Sequence, residues 1–209
     1  MKSKLIMVLG VALLFGGEAF AQSSSESKNG EVSVDYSFVS FYPASAYAKR
    51  KSLNGGGGSF AYFWKDLIGV KADFQGYASN TTQFVIPAGV TGVPAGTYNV
   101  QGNLFTYLFG PVIQPRKSKV APYGQILFGA AHTNVYSNVY NAVGKVGSAP
   151  SNNGFAMSVG AGIDIRINDT FWFRPAQFDY LLTNFNNNYI AGNRIQNNFR
   201  YMAGIAIRF

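Results

Sequence analysis

The chain has 209 residues, with 17 Lys and Arg against 9 Asp and Glu for a formal charge of +8, and no cysteine. Only 12% of it is charged, whereas 24 Gly, 18 Phe and 13 Tyr are present. That composition excludes a disulfide scaffold, argues against a helical bundle or a disordered chain, and favours many strands joined by turns.

Residues 1–21, "MKSKLIMVLGVALLFGGEAFA", carry Lys2 and Lys4, an apolar run from Leu5 to Phe15, and the small-x-small end Ala19-Phe20-Ala21. This is the pattern of a cleaved signal peptide, too short in its apolar run for a membrane span. Export removes nucleic acid from the partners that a basic chain would otherwise suggest. Residues 22–30, "QSSSESKNG", read as a flexible polar leader ahead of a single domain over 31–209.

Eight strands are predicted in that domain: 31–42, 55–64, 68–79, 99–113, 120–135, 154–167, 170–184 and 198–209. The second, fourth and sixth connections are short (65–67, 114–119, 168–169), and the other four are long and rich in Asn, Ser, Gly and Ala. In an up-and-down sheet, alternate connections lie at the same end. All short turns therefore share one rim and all long loops the other, which is the asymmetry of an outer-membrane barrel with periplasmic turns and external loops.

The strand faces agree. In 154–167 the odd positions are Phe155, Met157, Val159, Ala161, Ile163, Ile165 and Ile167, and the even ones are small or charged. In the last strand Tyr201, Ile205, Ile207 and Phe209 alternate with Arg200, Met202, Gly204, Ala206 and Arg208. A lipid barrel turns the apolar face outward, so the fold class is all-β: a transmembrane up-and-down antiparallel barrel of eight strands, closed by pairing 198–209 with 31–42. The opposite faces then send Glu31, Asp35, Lys71, Asp73, Asp164, Arg166, Arg174, Asp179, Arg200 and Arg208 into the lumen, five acids and five bases that can pair. Parity slips between Arg174 and Gln177, so a bulge is predicted at Pro175. Tyr36, Tyr42, Trp64, Tyr123, Trp172, Tyr180, Tyr201 and Phe209 fall near strand ends, where interfacial girdles belong. The segment 81–100, "TTQFVIPAGVTGVPAGTYNV", offers an alternative in which an extra hairpin widens the barrel to ten strands.

The stretch "SVGAGIDIRINDTFWFRPAQFDYLLTNF" followed by a terminal aromatic strand resembles the eight-stranded outer-membrane barrel family, which includes the membrane domain of outer-membrane protein A. Gly160, Gly162, Asp164, Arg174, Asp179 and Tyr180 match its pattern, and 122–132 is similar to its fifth strand. The chain departs by stopping at the barrel, so cell-wall anchoring through a periplasmic domain is not implied. Tyr201, Ile205, Ile207 and Phe209 resemble the terminal signal by which barrel assembly machinery recognises its clients.

No catalytic, cofactor or metal site is expected. The one histidine, His132, has Asn134 where a lipid-cleaving barrel would need a serine; Ser137 lies in the following loop, and Asp179 is the nearest acid in height. Carboxylates are scattered singly, without ligand spacing for zinc. Gly55–Gly58 and Gly160-Ala161-Gly162 precede no helix, so they are lumen or strand glycines rather than phosphate loops. Outer-membrane lipid and lipopolysaccharide are the expected surroundings, and Lys49, Arg50 and Lys51 are candidates for pairing with glycolipid phosphates. The expected role is structural or surface-interacting through basic external loops. The alternatives are a narrow porin-like channel and a lipid-modifying barrel enzyme.

Overall fold

A computed structural model describes residues 28–42, 50–86, 88, 94–145, 151–185 and 195–209. The signal peptide, most of the leader and Lys49 lie outside these residues. The strands are β1 (Gly30–Phe41), β2 (Lys51–Phe63), β3 (Ile68–Ile86), β4 (Gly96–Ile113), β5 (Val120–Thr133), β6 (Asn153–Arg166), β7 (Phe171–Phe185) and β8 (Ile195–Arg208). One helix, α1 (Val135–Ala142), stands between β5 and β6. The eight strands pair in sequence order, all antiparallel, and β1 pairs with β8 to close the barrel. Closure removes every sheet edge from the lipid, where an unpaired backbone group has no water to bond.

The period-2 pattern decides which side faces lipid. Val34, Tyr36, Phe60, Tyr62, Phe74, Phe109, Phe155, Phe173, Tyr180, Phe199 and Ile205 are large, apolar or aromatic, and exposed on the outside. Their strand neighbours are small, polar or charged, and buried inside. The bulge at Pro175 is present: the β7–β8 register shifts between Arg174 and Gln177, which returns both residues to the lumen. A proline there has no N–H to waste on the ladder.

Four expectations change. The 81–100 segment adds no staves; Thr82–Ile86 pairs with Gly96–Val100, so β3 and β4 run on past the barrel as one hairpin, and the ten-stranded form is set aside. β3 has 19 residues against 13 in β2, so the hairpin rises roughly 20 Å above its neighbour at about 3.4 Å per residue. Tyr123 and Trp172 are not girdle residues but buried lumen residues, because they share parity with Gln125 and Arg174. Tyr123 has room because its partner across the ladder is Gly162, where a Cβ would come within 2.5 Å of the phenol ring. The leader is anchored at its end: Gly30 opens β1, Asn29 accepts from Phe63 N at 2.8 Å, and Lys28 donates to the Asp169 carbonyl at 2.9 Å.

The helix is the fourth. Val135, Tyr136, Val139 and Val143 recur at helical spacing inside what reads by composition as a polar loop. Gly144, at φ 80°, ends the helix, and Lys145 N returns to Tyr140 O at 2.8 Å.

Candidate functional site: the lumen and the external hairpin

The lumen divides by height. At the short-turn end, Glu31 on β1 accepts from three arginines: Arg116 Nη1 at 2.6 Å, Arg208 Nε at 2.8 Å and Arg174 Nη2 at 3.1 Å. Asp164 accepts from Arg174 Nε at 2.8 Å, Arg208 Nη2 at 3.2 Å and Gln114 Nε2 at 2.7 Å. The guanidinium of Arg208 lies 3.5 Å from the centre of the Trp172 ring, and that of Arg174 lies 4.8 Å from Tyr123. One layer up, Arg200 donates from Nε to Asp179 and from Nη1 to Asp73, both at 2.7 Å. Amides connect the two layers. Gln177 donates to Asp179 at 2.7 Å and accepts from Tyr123 OH at 2.5 Å. Lys71 donates to Gln125 at 3.0 Å, and Gln125 donates to Asp179 at 3.1 Å.

Nine of the ten expected lumen charges are buried here: Glu31, Asp35, Lys71, Asp73, Asp164, Arg174, Asp179, Arg200 and Arg208. Arg166 is the exception. It has lumen parity but sits on the last residue of β6, and its guanidinium turns outward to Asp169 of the following turn. Arg116 takes its place, with a side chain only 4% exposed and stacked 4.2 Å from the Phe63 ring. Sequence reasoning passed over it because it lies in a turn. The signal was present, since Gln114 and Arg116 continue the inward parity of Val112 to three residues past the end of β4.

Glycine makes this packing feasible. A Cβ at Gly160 would collide with the Asp179 carboxylate, and one at Gly57 would lie 2.7 Å from Gln75 Oε1. Above the charges, Val39, Phe41, Leu53, Tyr77, Leu104, Leu108, Leu127, Ala131, Ala156, Leu181 and Phe185 form one buried apolar cluster. Tyr136 of α1 drops into it from the long-loop mouth, fully buried, its ring 5.7 Å from Phe185. Burial pushes the Tyr136 phenol above its usual range, so it stays protonated there.

Helix α1 also covers one face of the raised hairpin, where Val135, Val139 and Val143 pack on Ile86 and Val100 with Tyr98 beside them. Its flank caps the open edge of β4. Asn138 donates to Gln101 O at 2.5 Å, Asn103 N donates to Asn134 Oδ1 at 2.7 Å, and Thr133 donates to Asn103 O at 2.8 Å.

The other candidates scatter. Arg50 lies on the outer surface, donating to Ser40 O at 2.9 Å and Asn197 O at 3.1 Å, with its guanidinium 5.6 Å from the Tyr42 ring. Lys51 opens β2 with the parity of the inward-facing Leu53, so it and Arg50 point to different sides. His132 Nδ1 lies 2.7 Å from Asn153 Oδ1, and Ser137 donates to Asn152 at 2.7 Å; among the described residues neither bonds a carboxylate or the other. Ile205 and Phe209 are exposed on the lipid side, with Tyr201 and Ile207 half-buried beside them. Phe209 exchanges two backbone bonds with Gly30, at 2.8 and 3.0 Å.

A closed eight-stranded antiparallel barrel, apolar outside and charged inside, is an integral β-barrel of the Gram-negative outer membrane. The chain belongs to the outer membrane protein beta-barrel domain family, whose model matches residues 7–207. Among solved structures it is similar to Neisserial surface protein A, with 14% identity, 86% of this chain and 97% of that one covered, and a TM-score of 0.58. It is likewise similar to OprG from Pseudomonas aeruginosa, with 14% identity, 90% and 99% coverage, and a TM-score of 0.54. At this identity the likeness is one of fold. No curated protein matches the chain in sequence.

Proposed function

We propose that this protein is a non-enzymatic outer-membrane barrel whose lumen is closed to diffusion and whose task lies at its external end. The observation that carries this is the occupied lumen: a charge network across the periplasmic half and an apolar cluster plugged by Tyr136 across the external half. Eight strands enclose an interior just wide enough for side chains to fill. Among the described residues, the raised β3–β4 hairpin with α1 on its flank is an external feature available for contact with a surface or another protein. The short turns face the periplasm, the signal peptide is cleaved after Ala21, and Tyr201, Ile205, Ile207 and Phe209 present the strand that assembly machinery reads. Arg50, with Lys49, contacts lipopolysaccharide phosphates; the outward position of Arg50 beside Tyr42 supports its part in this, whereas the inward parity of Lys51 takes that residue out of the contact.

Planar-bilayer recording tests the central point. The purified protein is expected to be silent. Defined single-channel steps from the intact chain would replace this reading with the narrow channel.

A further inference from the structure

The short-turn rim is basic, and its cations stand where the apolar outer face ends. Lys65, Lys117, Lys119 and Arg166 are exposed there, with Lys28 half-buried beside them. Among the described residues two acidic side chains of the turns oppose them, and each is engaged: Asp66 with Lys117 at 2.5 Å, and Asp169 with Arg166. Lys65 and Lys119 have no carboxylate partner among the described residues. The turns adjoin one another, since Arg116 N donates to Asp66 O at 3.0 Å and Arg166 N donates to Lys119 O at 2.9 Å, so these charges share one rim. Three of them neighbour an exposed apolar residue on the lipid side: Trp64 beside Lys65, Val120 beside Lys119, and Ile167 beside Arg166. This interleaving puts the ammonium groups at headgroup height, because the apolar residues mark the edge of the hydrocarbon.

We infer that this rim is a selective contact surface for anionic phospholipid headgroups of the periplasmic leaflet, with Lys65 and Lys119 as its principal unpaired cations. A headgroup phosphate at this depth is partly desolvated and meets a lysine without displacing an existing carboxylate, which is not so at Lys117 or Arg166. The inference rests on the orientation proposed above, which can be tested separately. The chain has no cysteine, so a Lys117→Cys variant gives one labelling site. An impermeant maleimide is expected to reach it only after the outer membrane is opened; labelling in intact cells would overturn the orientation and with it the assignment to that leaflet.

The contact itself is read in reconstituted bilayers, whichever way the barrel faces. The chain has two tryptophans: Trp64 is exposed on this rim and Trp172 is buried in the lumen. Brominated phosphatidylglycerol and brominated phosphatidylcholine, each diluted into the same unlabelled bilayer, report the lipid next to Trp64 by quenching. The expected result is a relative association constant favouring phosphatidylglycerol roughly twofold to fivefold. It should fall to near one in 0.5 M salt (on the order of a 4–5 Å screening length) and in the Lys65→Gln, Lys119→Gln double variant. Equal quenching by the two lipids in the native protein would overturn the inference. So would a preference that survives both the salt and the double variant, since the selectivity would then lie elsewhere.

Discussion

Arg200 is fully buried and its guanidinium bonds two carboxylates, Asp73 and Asp179, at 2.7 Å each. Replacing it with methionine keeps most of the volume but leaves both acids uncompensated. Removing one partner of a buried pair costs about 3–5 kcal/mol. The structure points to the lower end of that range, about 3 kcal/mol by the same comparison. Asp179 keeps amide donors from Gln125 at 3.1 Å and Gln177 at 2.7 Å, and Asp73 keeps Gln75 Nε2 at 3.3 Å. The second variant, Arg200→Met with Asp73→Asn, removes one charge of each sign, so it should recover at least half of the loss. Urea unfolding in lipid vesicles measures both, with the folded fraction scored by heat-modifiable gel mobility. A single variant within about 1 kcal/mol of native would refute the claim that these acids need the arginine. A double variant as unstable as the single one would show that the loss comes from packing of the arginine stem, not from charge.

Gly160→Ala should cost about 1–3 kcal/mol by the same unfolding assay, because its Cβ would meet the Asp179 carboxylate and the Phe178 carbonyl at 2.6 Å. Tyr136→Ala should loosen α1 and lower stability by about 3 kcal/mol, seen as faster protease cleavage in the β5–β6 connection. Conductance should nonetheless stay absent in that variant, because Leu104, Leu108, Leu127 and Leu181 still fill the level below. Phe209→Ala keeps the backbone exchange with Gly30 while deletion of Phe209 removes it, so refolding into pure lipid should slow for the deletion alone. Insertion in cells should suffer in both; normal insertion of Phe209→Ala would show that the terminal ring is not the assembly signal.

The staves, their order, their closure and the Pro175 bulge were legible because one physical rule, period-2 alternation against lipid, governs every residue between the rims. Parity names the inward side, and depth decides what inward means. Arg166 has the parity of Asp164, yet at the last position of β6 the nearest acid is Asp169 in the turn, and the long side chain goes there. Tyr123 and Trp172 misled for a related reason, since aromatic residues near strand ends suit an interfacial girdle, while parity sends these two inward. The β3–β4 extension and α1 escaped because neither is lipid-facing. Their apolar residues bury against one another, Ile86 and Val100 against Val135 and Val139, and that pairing joins segments far apart in the chain.

Arg116 carries this further, because it makes a turn part of the lumen. Without it, the buried set would hold five carboxylates, Glu31, Asp35, Asp73, Asp164 and Asp179, against Lys71, Arg174, Arg200 and Arg208. An excess charge in a medium of low dielectric is costly wherever it sits, so a fifth cation has to come from somewhere. The turn supplies it, and the arginine is held by Glu31, by the Lys28 carbonyl at 2.8 Å and by the Phe63 ring. Residues 114–119 are therefore fixed by the lumen in a way that the other short turns are not. Lengthening this turn by two glycines before Arg116 should destabilise the barrel as much as Arg116→Met does, whereas the same insertion between Asn168 and Asp169 should cost far less. Equal losses at the two turns, measured by urea unfolding, would mean that Arg116 follows the fold without helping to hold it.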